Sequence, residues 1–171
     1  MVILGVDPGL KVTGYGLVEV ADGRETLREG GAIRPDPAAP LEQRLLQIFQ
    51  ELDELLRQAQ PDVVAVEELY SKYEHPKTAI LMGHARGVIY LAAARHGIPV
   101  VSYTASKVKM ALTGSGRASK RQVQHMVMRA LELVEPPQPA DVSDALALAL
   151  CHANIVARGQ SPARRLAGSE Q

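Results

Sequence analysis

The chain has 171 residues, 46% hydrophobic and 22% charged, with a formal net charge of zero. This composition excludes wholesale disorder, and the length suits one compact α/β domain and is short for two. No apolar run approaches a membrane span, no basic segment precedes a long apolar one at the N-terminus, and Cys151, the only cysteine, sits in an apolar run as a small core residue, so a cytoplasmic protein is expected.

Residues 2–7 read as a buried strand. Residues 13–20 and 24–34 read as two more, joined by the turn pair Asp22-Gly23. Prolines then break the chain. Leu41, Leu45, Ile48, Leu52, Leu55 and Leu56 recur at helical spacing, which predicts an amphipathic helix over 41–60, ended by Pro61. Residues 63–66 form a short apolar strand running into Glu67 and Glu68. After a loop over 70–75, Pro76 opens a helix to about 96, with Gly97 as its cap. Residues 100–103 are a strand. Helices follow over 104–112, 119–133 and 141–157, with a flexible loop over 113–116 and prolines at 136, 137 and 139. Three hairpin-connected strands followed by strands alternating with helices imply an α/β fold: a mixed five-stranded sheet flanked by helices on both faces. The domain is expected over 1–157, with a flexible tail over 158–171.

The zero net charge hides an asymmetry. Residues 1–68 carry 13 acids and 6 bases, whereas 69–129 carry 10 bases and a single acid, Glu74. A stretch of that length with one acid points to a polyanionic partner.

Two acids close apolar strands. Asp7 ends the first strand before Pro8-Gly9, where turn chemistry alone accounts for it. Glu67 ends the strand 63–66, where a solvated strand end accounts for it equally well. Asp141 and Asp144 lie three apart on one helical face, where N-capping and the helix dipole suffice. Together the four acids make a different proposition. Divalent cations such as Mg2+ require hard oxygen ligands, and a pair of cations requires several carboxylates. The five histidines show no metal-ligand spacing.

Several stretches in order resemble the RuvC family of Holliday-junction resolvases, members of the ribonuclease H-like superfamily, over essentially residues 1–157. They are Gly5-Val-Asp-Pro-Gly9 with Thr13-Gly-Tyr-Gly16, Ala65-Val-Glu67, Gly83-His-Ala-Arg-Gly87, Val108-Lys109, Gln122-Val-Gln-His-Met126 and Ala140-Asp-Val-Ser-Asp-Ala-Leu-Ala147. The resemblance implies a ribonuclease H-like fold. It implies that Asp7, Glu67, Asp141 and Asp144 are the catalytic, metal-binding quartet, holding two Mg2+ per subunit, with Mn2+ as a substitute. It further implies DNA contacts by Lys109 and Lys120 and base stacking by Tyr70. The implied activity is symmetric paired nicking of four-way junction DNA by a homodimer, leaving 5′-phosphate ends. The implied partners are the RuvA-RuvB branch-migration proteins. Two rivals stand beside it: an actin-like ATP-binding domain, which shares an Asp-x-Gly turn after a strand, and a catalytically inactive junction-binding protein.

Overall fold

A computed structural model of the protein describes residues 1–68 and 76–159. The expected loop over 70–75, with Tyr70, and the tail from residue 160 onward lie outside the described residues.

The strands are β1 (Val2–Asp7), β2 (Thr13–Ala21), β3 (Arg24–Ile33), β4 (Val63–Glu67) and β5 (Val100–Tyr103). The helices are α1 (Leu41–Ala59), α2 (Pro76–Arg95), α3 (Ala105–Thr113), α4 (Lys120–Ala130) and α5 (Ala140–Ala157). The sheet order is β3-β2-β1-β4-β5. β1, β2 and β3 are antiparallel neighbours, while β4 runs parallel to β1 and β5 parallel to β4. This is the mixed sheet of the ribonuclease H-like fold. Asp22 and Gly23 both adopt positive φ, at 53° and 76°, which makes the β2–β3 connection a turn matched to the twist of its strands.

Side-chain alternation along β1 and β4 divides the core. Ile3, Val63 and Ala65 pack with Tyr103 of β5 against α3, α4 and α5. Leu4, Val6, Val64 and Val66 pack against α1 and α2. Helices thus cover both faces, as the sequence pattern requires. Cys151 is buried in α5, as its apolar setting implies.

Two expectations need correction. The helix expected over 119–133 is shorter. Ser119 and Gln122 form a reciprocal capping box at its start, and Leu131 caps its end. Glu132, at φ 54°, turns the chain away. Also, α5 is long and apolar enough by length and composition to cross a membrane, contrary to the sequence expectation. Its apolarity has another cause: 67% of it is buried inside the fold, where it packs on β1 and β2 as the central helix.

Candidate active site

The ends of β1 and β4 place the first two acids. Val6 and Val66 are register partners on adjacent parallel strands, so Asp7 and Glu67 follow one step further on both. Both continue the alternation of Ile3, Val63 and Ala65 and therefore face α5. The turn beyond Asp7 is closed by Thr13, fully buried, whose hydroxyl donates to the Gly9 carbonyl at 2.6 Å.

Missing side chains bring α5 to them. A β-carbon on Gly5 would lie 1.9 Å from the Ala145 carbonyl oxygen, and one on Gly14 would lie 2.1 Å from that of Asp141. Only glycine permits such contact. Gly14 is the register partner of Asp7, so the first turn of α5 is seated on the strand pair that ends in Asp7. The sequence signal was present in these glycines, but their purpose emerges only with the helix in place. Capping does not explain the acids on α5: its N-cap is Pro139, with no side-chain cap bond, and Asp141 lies inside the first turn.

Asp7, Glu67, Asp141 and Asp144 are all half-buried. The Asp7 carboxyl is pushed up to about 7, first by burial and then by the charges of Glu67, Asp144 and Asp141, with Lys120 acting in the opposite sense. Glu67 is pushed up by burial and by Asp144, while Lys120 and Lys109 pull it down. The four acids are thus electrostatic neighbours. Among the described residues, however, no three acidic, histidine or cysteine groups converge closely enough to form a complete metal cage as they stand.

A cleft of about 320 Å³ opens beside them. Its wall includes Glu67 and Asp144, the two lysines Lys109 and Lys120, and apolar residues of α3, α4 and α5. Lys120 Nζ lies 2.5 Å from Asp144 Oδ2, and this contact holds the ammonium more firmly protonated. Lys109 and Lys120, inferred from sequence as DNA contacts, therefore sit at the carboxylates. The remaining bases of the basic stretch do not all join them. On α2, Arg86 donates to the Tyr90 and Ser102 hydroxyls at 2.8 and 2.7 Å, and Arg95 reaches Asp53 at 3.5 Å. Those two serve the opposite side of the sheet. Lys107, Arg117 and Arg121 are exposed on or between α3 and α4. Sequence reasoning also passed over His152 as a core or surface histidine. It is buried and bonded to Tyr103 at 2.6 Å.

The arrangement combines hard oxygen donors, a cationic rim and an open cleft on one end of a rigid sheet. Oxygen-only donors suit Mg2+ or Mn2+ rather than softer metals. The chain is similar over most of its length to known DNA nucleases. The family model described as crossover junction endodeoxyribonuclease RuvC matches residues 3–152. A crossover junction endodeoxyribonuclease RuvC from Pelotomaculum thermopropionicum is 49% identical over 154 residues, covering 90% of this chain and 93% of its own. The Thermus thermophilus RuvC structure superposes with a TM-score of 0.87 at 37% identity, covering 94% of this chain and 98% of the other. The Thermus thermophilus RuvC in complex with Holliday junction substrate gives 0.86 at 35% identity, with the same coverage.

Proposed function

Because the chain belongs to the RuvC family, the crossover junction endodeoxyribonucleases, we propose that it resolves Holliday junctions in recombination and repair with Asp7, Glu67, Asp141 and Asp144 as its catalytic, metal-binding carboxylates. The single observation that carries the assignment is the electrostatic proximity of acids from β1, β4 and α5, two of which, Glu67 and Asp144, line a lysine-rimmed cleft. The donor set fits two divalent cations per subunit, Mg2+ with Mn2+ as substitute. When bound, they supply an activated water and charge neutralisation at the attacked phosphate, leaving a 5′-phosphate.

The chain's own residues have separable tasks. The four carboxylates hold the cations. Lys109 and Lys120 bind the phosphate backbone that passes the cleft, and Lys120 also balances charge at Asp144. Tyr70, three residues beyond Glu67, stacks on a base exposed at the branch point.

A homodimer supplies two such sites for paired nicks. Its interface is the outer side of α2, where Ile80 and Leu91 are 61% and 63% exposed beside Gly83 and Gly87. The small residues of this helix divide between two uses, since Ala85, Ala92 and Ala93 are buried within their own subunit. The enzyme acts in the cytoplasm with RuvA-RuvB proteins as partners in branch migration.

The test is cleavage of a synthetic four-way junction against linear duplex, in Mg2+ and in chelator, followed by ligation of the products. Junction-selective, chelator-sensitive cleavage with ligatable 5′-phosphate ends is expected. Tyr70→Ala slows it and Tyr70→Phe keeps it. Cleavage in chelator, or equal cutting of both substrates, contradicts the assignment. A monomeric mass by light scattering at micromolar concentration contradicts the paired-nick arrangement.

A further inference from the structure

We propose that the hydrogen bond between Tyr103 and His152 is a positioning clasp for the carboxylate cleft, fixing the helix that carries Asp141 and Asp144 against the strand pair that ends in Glu67. The inference rests on the metal-binding role assigned above.

Tyr103 is the last residue of β5 and the register partner of Glu67 on β4. The pairing continues past it, because the Glu68 amide donates to the Tyr103 carbonyl at 2.9 Å. Asp144, Leu148 and His152 descend α5 at spacings of four, so His152 lies about 12 Å below Asp144. The Tyr103 hydroxyl and His152 Nδ1 are 2.6 Å apart, and the residues are only 1% and 5% exposed. Among the described residues this is the one hydrogen bond between side chains in which both partners are buried.

Its chemistry is well defined. Burial keeps the imidazole neutral and the phenol protonated. The phenol is the stronger donor and a neutral ring nitrogen the stronger acceptor, so Tyr103 donates to Nδ1 and the ring proton resides on Nε2. The Lys107 ammonium sits 5.2 Å from the Tyr103 ring centroid and holds its outer side.

The surrounding core explains why a polar pair matters here. α5 otherwise meets the sheet through apolar side chains and close backbone approach over Gly5 and Gly14, contacts that are non-directional. A short hydrogen bond is directional and adds a fixed geometry to them. It ties β5, and through the register β4 and Glu67, to one setting of α5. Neither Tyr103 nor His152 lines the cleft, so both are positioning residues.

Tyr103→Phe removes the hydroxyl and keeps the ring. His152→Leu removes the acceptor, whereas His152→Asn retains one near Nδ1. Leu52→Ala, in the core on the far side of the sheet, is the control for lost stability. Each is measured for Mn2+ binding to the DNA-free protein by electron paramagnetic resonance, for half-saturating Mg2+ in junction cleavage and for thermal midpoint. Tyr103→Phe and His152→Leu should each weaken Mn2+ binding and raise the Mg2+ requirement by about tenfold, the size of effect expected for groups that orient metal ligands. Excess Mg2+ should recover most of the rate, and His152→Asn should stay close to wild type. If Tyr103→Phe does not fold, the two His152 variants decide. Unchanged metal binding in the variants lacking the bond, or an equal change in Leu52→Ala at matched thermal loss, overturns the clasp. A wild-type protein that binds no Mn2+ overturns the metal-binding assignment itself.

Discussion

The two faces of the sheet are built from the same strands and do different work. On the face covered by α1 and α2, β1 and β4 contribute Leu4, Val6, Val64 and Val66, which meet Ile48, Leu52 and Ile89. On the face covered by α5, the same strands contribute Ile3, Gly5 and Ala65 and then end in Asp7 and Glu67. The first face is large side chains in apolar contact. The second is a close backbone approach that delivers acids to one end of the molecule. A pleated strand alternates between these tasks residue by residue, so stability and chemistry can be perturbed separately.

Substitution should expose that separation. The largest contrast is between Asp7→Asn or Asp144→Asn and Leu52→Ala. The acid variants should lose at least about a hundredfold in junction cleavage, equivalent to about 2.7 kcal/mol of barrier, and retain junction binding. Leu52→Ala should lose about 2–5 kcal/mol of stability in chemical denaturation and retain cleavage per folded molecule. Near wild-type cutting by either acid variant would mean that the acids are misassigned. Gly14→Ala should blur the contrast, because its β-carbon would collide with the Asp141 backbone. It should cost about 1–3 kcal/mol and reduce cleavage beyond the loss of folded protein; unchanged specific activity would show that the seating of α5 is irrelevant to the site.

Much of this was legible in the chain. Apolar runs ending in Asp7 and Glu67 announced the strands, whereas each acid taken alone read as a turn residue or a solvated strand end, and only the four together suggested metal chemistry. The leucine spacing of α1 and the Asp22-Gly23 turn were equally readable, since each is set by neighbours in sequence. What escaped depended on distant partners. Nothing near Gly14 says that Asp141 will rest on it, and nothing near His152 names Tyr103, 49 positions earlier. Asp141 looked like a cap because its local sequence suits one, until Pro139 occupied the cap position. The basic stretch pointed to a polyanionic partner, but the fold sends Arg86 and Arg95 to the α1–α2 side and Lys109 and Lys120 to the cleft.

That division of charge sets the smallest predicted effect. Lys109→Ala and Lys120→Ala should each lower the salt dependence of junction binding by about one unit of slope, measured by anisotropy across a salt series. Arg95→Ala, on the other side of the sheet, should leave the slope unchanged. Equal slopes in all three variants would remove the lysines from the DNA path.

The central claim is that acids from β1, β4 and α5 hold the catalytic cations, and the most direct measurement is anomalous diffraction from crystals soaked in Mn2+. The account predicts anomalous peaks bounded by Asp7, Glu67, Asp141 and Asp144, lost in Asp7→Asn. Mn2+ bound elsewhere, with no density among these four carboxylates, would contradict it.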